Sequence, residues 1–330
     1  MKQFLQKKAK LVFLCMLVLL TCTACANPRG RDGKTLADQI IASEETTIDA
    51  SKINYKDISD KKLKKEIKKN IKDGQYTIQP TTFKNSMSKG WFEGLIVWPI
   101  AQIINLISSK TDAGVGIILT TLLIQMLVFV FTRKSQMSTQ RMQEIQPEIQ
   151  KIQNKYKDKT DERSKMQMAQ EMQNIYQKYD IHPFGSMLIT FIQLPIMMGM
   201  YYATMRSVSV VSGSFMGISL AGTPLDGFKA FDIAYISIYV LMVIFYIVSI
   251  KLPQWLKKWQ DKKDNVKVKK YAQEETNPMA NSMNMSMYFM TAMICIMYIS
   301  WPMAMSFYWL VSSVIRVCQS LILHQVMNKK

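Results

Sequence analysis

Few residues in this chain carry reactive chemistry. Cysteines stand at positions 15, 22, 25, 295 and 318, and the imidazoles are His182 and His324. The cysteine spacing makes neither a zinc site nor a disulfide framework. Two histidines far apart offer little for metal or acid–base catalysis. Ser312, Ser313 and Cys318 are nominal nucleophiles, but the nearest imidazole, His324, lies at the far end of the same apolar run, so no base is placed for them. The expectation is therefore no cofactor, no metal ion and no enzymatic reaction. What stands out instead is polarity inside apolar surroundings. Arg316 lies within a long apolar stretch, with Ser312 at i−4 and Gln319 at i+3 on its helical face. Thr121, Gln125 and Gln193 interrupt other apolar stretches. Charged and polar groups are costly there, and a charge so placed is read as functional.

The elements that hold these residues follow from hydropathy. Of 330 residues, 48% are hydrophobic and 20% charged, and the apolar ones gather in blocks of about 20 with the charge between them. That predicts an all-α polytopic membrane protein with five transmembrane helices, at 114–132, 184–204, 233–250, 285–301 and 303–323. Trp301-Pro302 joins the last two as a tight hairpin. Residues 91–110 mix aromatics and aliphatics with Glu93, Gln102 and Asn105, and predict an amphipathic helix in the outer interface.

Charge sets the orientation. There are 42 Lys+Arg against 24 Asp+Glu, a formal +18. The excess falls in two loops, 133–180 and 251–284, whereas 205–232 holds just Arg206 and Lys229 as basic residues. The basic loops are then cytoplasmic, beside anionic lipid, with the tail 324–330, and 205–232 lies outside. No basic stretch is interleaved with aromatics on a soluble fold, which argues against nucleic acid as a partner.

Lys2, Lys7, Lys8 and Lys10 precede the apolar run 11–20, as in a secretory signal covering residues 1–24. The run ends Cys22-Thr23-Ala24-Cys25, which resembles a lipobox and points to lipidation of Cys25. An ordinary signal or an uncleaved anchor with incidental cysteines is the alternative. Residues 25–90 are polar, Lys-rich at 61–72 and without apolar period, and read as a mobile extracytoplasmic spacer carrying at most a helix near 60–71. In 133–180, recurring Gln with Met137, Met142 and Ile145 gives one weakly apolar helix. A charged turn at 157–161 and a second helix at 162–179 complete a cytoplasmic αα-hairpin. Its methionines either adapt to apolar partners or seal the hairpin.

Three motifs resemble the YidC/Oxa/Alb family of membrane protein insertases. Gln143-Glu144-Ile145-Gln146-Pro147-Glu148-Ile149 with Ile152-Gln153-Asn154-Lys155-Tyr156 is similar to the start of its cytoplasmic hairpin. Asp180-Ile181-His182-Pro183 through Ile192-Gln193-Leu194-Pro195-Ile196 is similar to its second span. Pro302 with Phe307-Tyr308-Trp309 and Gln319 is similar to its last span. The resemblance implies five spans around a hydrophilic groove that opens to the cytosol and to lipid and is closed outside. Nascent membrane proteins would slide along it into the bilayer, alone or beside the Sec translocon. Some members hold ribosomes through a long basic tail; with the short tail 324–330, that role would fall in part to the basic loop 251–270, or the loop only anchors to anionic lipid.

The family places an arginine in the groove on the first span, about 22 residues before the hairpin proline. Here that position is Gln125. Arg316 offers a substitute. Gln125 is eight residues from Arg133 and Arg316 eight from His324, so both lie about 12 Å inside the cytoplasmic boundary of their helices. Either the groove charge has moved to the fifth span, or Arg316 snorkels to the inner headgroups. Groove candidates are Arg316, Gln125, Gln193, Thr121, Ser312 and Gln319. Met285, Met287, Met290, Met293, Met297, Met303 and Met305 either form an apolar slide or simply pack. His182 is read as a helix cap or a pH-sensitive group. The competing readings of function are a docking or assembly scaffold and a small channel or transporter.

Overall fold

The computed structural model describes residues 28–157, 159, 161–181, 185–263, 289 and 291–328. The signal, Cys25, His182 and most of the second basic loop lie outside them. In chain order the elements are β1 (Thr35–Leu36), β2 (Thr46–Asp49), β3 (Ile53–Asn54), α1 (Lys61–Asn70), β4 (Gln75–Ile78), α2 (Phe83–Lys89), α3 (Trp98–Ser108), α4 (Ala113–Glu144), α5 (Gln146–Lys155), α6 (Glu162–Lys178), α7 (Gly185–Arg206), α8 (Val208–Ser212), β5 (Ser214–Phe215), β6 (Ile218–Ser219), α9 (Pro224–Ala230), α10 (Ile233–Lys263) and α11 (Met303–Asn328). A π-helical stretch, Glu93–Val97, leads into α3. The fold is mostly helical, as expected. Among the described residues it departs from all-α in three two-stranded sheets, β1 with β3, β2 with β4, and β5 with β6.

Among the described residues, three helices are long and apolar enough to cross a membrane: Ala113–Met142, Ile233–Gln260 and Met303–Val326. Each continues as helix beyond its apolar block. The backbone hydrogen bonds that satisfy a span in lipid simply propagate into the polar residues that follow. The helix α7 has 22 residues, about 33 Å at 1.5 Å per residue, with Pro195 inside it. Residues 291–298 are helical and lead into the turn before Pro302.

The chain divides into two compact units. The first holds the residues up to Thr120, Gln193–Thr223 and Pro302–Met305; the second holds Thr121–Ile192, Pro224–Trp301 and Ser306 onward.

The first unit corrects the expectation of a mobile spacer. Ile40, Ile48, Ile53, Ile58, Ile67 and Ile78 are buried in one core with Val208 and Val211. These isoleucines stand 5 to 11 residues apart, so they show no local period; strand and helix pairing gathers them. The anticipated helix is α1. Asp60 caps it by accepting from the Lys62 and Leu63 amides, and Ile67 turns into the core. Gly114, on the first turn of α4, accepts the Phe215 ring: a Cβ there would lie 2.1 Å from a ring carbon. Met303 and Met305 are fully buried, with the Met303 and Ala304 amides donating to Gly222 and Leu220 carbonyls. They pack, and are not part of a slide.

In the second unit, α4 stops at Glu144 because Pro147 sits in the first turn of α5, where its ring suits a helix start and not a helix interior. Helices α5 and α6 meet through Ile145, Ile149 and Ile181, with Met142, Met172, Ile175, Tyr176 and Tyr179 packed around them. Met142 and Met172 thus turn inward, whereas Met166 is exposed. Asp161 caps α6 through the Ser164 amide at 2.8 Å.

At the far end of this pair Glu171 accepts from the Lys155 ammonium and from Tyr156 Oη. Those hydrogen bonds, Lys155 first, hold its carboxyl below the usual carboxylate value. A lowered folded-state value means the contribution is present above the unfolded carboxylate range, near 4.3, and is lost as pH falls through the folded value. Cross-linking between α5 and α6 is expected to hold steady at neutral pH and weaken below about pH 4. Glu171→Gln removes that acid limb; a limb that persists in the variant assigns it to another carboxylate.

Candidate functional site: buried polar groups on membrane-length helices

Helix α4 is apolar outside and polar inside. Thr121, Gln125, Val128 and Thr132 follow the i, i+4, i+7, i+11 rhythm of one helical face, and all four are buried. The opposite face, Leu123, Leu127, Val130 and Phe131, is exposed, Phe131 at 74%. A soluble helix has the reverse arrangement. Lipid on the outer side explains it, because the bilayer accepts Leu and Phe and rejects amides and hydroxyls.

The polar side chains of α4 meet those of α11. Gln125, 6% exposed, donates through Nε2 to Ser312 Oγ at 3.1 Å. Ser312 and Ser313 are fully buried. One turn further on, Arg316 is half-buried, and its guanidinium carbon lies 5.8 Å from the centre of the Trp309 ring. Helical side chains lean toward the N-terminus, so Arg316 reaches back over the residue seven positions before it. Its head therefore points toward mid-helix, away from the His324 end. The indole of Trp309 stacks on Tyr298 at 4.8 Å and meets Tyr246 edge-on at 6.4 Å. Arg316 Nη2, Trp309 Nε1 and Ser313 Oγ are buried and have no hydrogen-bond partner among the described residues.

Of the residues expected to form a site, Thr121, Gln125, Ser312, Arg316 and Gln319 fall in the second unit, and Gln125 with Ser312 forms a direct bond. Gln319 is half-buried on the turn after Arg316. Gln193 belongs to the first unit, half-buried on α7 two residues before Pro195. Trp309, Tyr298 and Ser313 were not anticipated as site residues. For Trp309 the signal was present, seven residues from Arg316 and hence on its face. Tyr298 reaches the cluster from a different helix and has no local signal.

A second polar cluster lies in the first unit. Arg206, the last residue of α7, pairs with Glu93; their side chains are 4% and 14% exposed. Arg206 Nε also donates to the Gln39 carbonyl at 2.7 Å. Lys89 donates to the Asp38 carbonyl at 2.9 Å, and burial together with the Arg206 charge pushes its ammonium below the ordinary lysine value. Glu93 thus leaves the solvated face of an interfacial helix for an ion pair.

Membrane-length helices with lipid-compatible exteriors and polar groups facing one another inside define a polytopic helical membrane protein. Residues 105–330 match the family described as 60Kd inner membrane protein, and the chain belongs to it. Its relatives include membrane protein insertase YidC 1 of Streptococcus pyogenes serotype M6, 30% identical over 72% of this chain and 75% of that protein. Membrane protein insertase MisCA of Bacillus subtilis is 27% identical over 72% of this chain and 80% of that protein. YidC 1 of Listeria monocytogenes serotype 4b is 29% identical, covering 77% and 78%.

Proposed function

We propose that this protein is a membrane protein insertase and chaperone, moving nascent hydrophobic segments from the cytosol through a polar groove into the bilayer. The observation that carries the reading is the Gln125–Ser312 bond with Arg316 beside it, a polar and charged seam inside helices whose outer faces suit lipid. Relatives at about this similarity are named membrane protein insertases.

The full topology is five spans, with α4, α7, α10 and α11 joined by the segment 285–301. The αα-pair of α5 and α6 projects into the cytosol, and residues 28–90 with 205–232 lie outside. Cys25 is lipidated and tethers the mature N-terminus to the outer leaflet of a bacterial plasma membrane. The Sec translocon and the ribosome are partners of the process, and the basic loop 251–284 rests on anionic lipid. The groove residues of the second unit are Thr121, Gln125, Ser312, Arg316 and Gln319, and Gln193 is the candidate in the first.

The mechanism is physical. A polar substrate tail must cross about 30 Å of hydrocarbon, and a charge at its centre costs at least about 3 kcal/mol by insertion scales. A wet recess from the cytosolic side shortens the dry path. Arg316 attracts an acidic tail into the recess, and its guanidinium, held on Trp309, needs little further ordering to bind a carboxylate. The substrate's apolar segment then enters lipid, which supplies the driving force. No bond is made or broken.

Reconstitution tests this. Proteoliposomes holding the full chain are expected to insert a single-span substrate with an acidic tail, scored by protease protection of the tail, at several times the rate of protein-free liposomes. Equal rates reject the reading. Thiol labelling at positions 125, 193 and 316 adds the geometry: water access from the cytosolic side supports the groove, and three dry positions remove it.

A further inference from the structure

We infer that residues 35–42 form a strap that seals the outer ends of the membrane helices against water and ions. A recess of the kind proposed above leaves a membrane tight only where the outer ends of the spans pack dry, so the inference rests on that reading.

The end of α7 is where such a seal is hardest to make. The last carbonyls of any helix lack partners within the helix and ordinarily take water. Here the strap takes that role. Met205 O accepts from Thr35 Oγ1 at 2.7 Å, and Arg206 O accepts from the Ile41 amide at 2.6 Å. The Ile41 carbonyl in turn accepts from the Val208 amide at 3.0 Å and from Asn105 Nδ2 at 2.8 Å. Asn105 Oδ1 accepts from Ser207 Oγ at 2.6 Å and from the Ser209 amide at 3.2 Å. The last two carbonyls of the helix, which water would otherwise solvate, meet protein instead.

Burial agrees. Thr35, Ile41, Asn105, Met205 and Ser207 are each at most 3% exposed. The charge that remains, Arg206, is neutralised by Glu93 and held by the Gln39 carbonyl of the same strap. Asn105 is central because it belongs to α3 and bridges strap and helix end at once. It is a positioning residue, and it touches no substrate.

The test uses the full-length protein in dye-loaded liposomes, measuring passive potassium and proton leak and, in parallel, substrate insertion. Asn105→Leu keeps the volume and removes the amide. Asn105 makes three hydrogen bonds here, and leak is expected to rise at least about tenfold, the shift in closed population that follows from the net loss of even one of them. Insertion is expected to change less than about twofold, since the cytosolic groove is untouched. Ile41 and Ser207 form a parallel bridge, so Ile41→Cys/Ser207→Cys in the Asn105→Leu background provides a reversible clasp. Tightness that returns on oxidation and is lost on reduction supports the seal. Unchanged leak in Asn105→Leu overturns it, and so does a leak that the oxidised clasp fails to close. Loss of the groove reading would show separately, as absent insertion by the parent protein with tight membranes.

Discussion

Arg316→Gln is expected to lower insertion of a substrate with an acidic tail by about 10- to 100-fold. That range follows from about 1.5–3 kcal/mol for a charge-assisted hydrogen bond. Insertion of a substrate with an uncharged tail is expected to stay near the parent rate. The contrast between tails separates a lost attraction from a damaged fold. The structure sets up a second comparison. Arg316 lies over Trp309, and a planar guanidinium stacks there while an ammonium does not fit the same way. Arg316→Lys is therefore expected to fall between parent and Gln. Gln125 is bonded to Ser312, one turn from Arg316, so Gln125→Arg in the Arg316→Gln background is expected to restore most of the activity if charge at this depth is what matters. Normal handling of the acidic tail by Arg316→Gln would sink the assignment of the groove charge.

The second large effect concerns stability. Glu93→Ala strands Arg206, itself 4% exposed, without its counter-ion. Removing one partner of a buried pair costs about 3–5 kcal/mol. Against the 5–15 kcal/mol that typically separates folded from unfolded, that is a severe loss. Thermal unfolding in detergent is expected to show it as a large fall in Tm. The double variant Glu93→Met/Arg206→Met replaces both charges by apolar volume and is expected to recover most of the loss. If the single variant proves as mild as the double, the pair is solvated in solution and its burial carries no energetic weight.

Both predictions concern residues whose meaning was unevenly visible in the linear chain. Arg316 was conspicuous, because a charge in an apolar stretch is rare, and its spacing from Ser312 follows from helical geometry alone. Its choice between the groove and the inner headgroups was not legible. That depends on which way a flexible side chain leans and on Trp309 being there to receive it. Gln125 was noted as polar at the family's arginine position, yet its partner was hidden, since Ser312 lies 187 residues away. Arg206 reads as a charge of the outer loop 205–232 and Glu93 as one polar residue of an interfacial helix, and 113 residues separate them.

The amphipathic stretch before α4 shows the same division. Its helical character follows from the spacing of Ile100, Ile104 and their neighbours, but the role of Asn105 depends on which chain segment arrives above it. The segment 25–90 reads as a mobile spacer because it has no apolar period of 2 or 3.6. Short strands and single turns bring its isoleucines together with Val208 and Val211. Periodicity detects long elements with one buried face and is blind to a core assembled from many short ones.

What the amino-acid order determined by itself was the local and the solvent-driven. Blocks of about 20 apolar residues become membrane helices because hydrocarbon permits little else. Asp60 and Asp161 begin helices because a carboxylate satisfies free amides, and Pro147 marks a break because it cannot continue one. What only the tertiary structure decided was the choice of partner: Ser312 for Gln125, Glu93 for Arg206, the strap for the end of α7. Each buried polar group needs a complement, but dozens along the chain are chemically suitable, and packing alone selects the one that arrives within 3 Å.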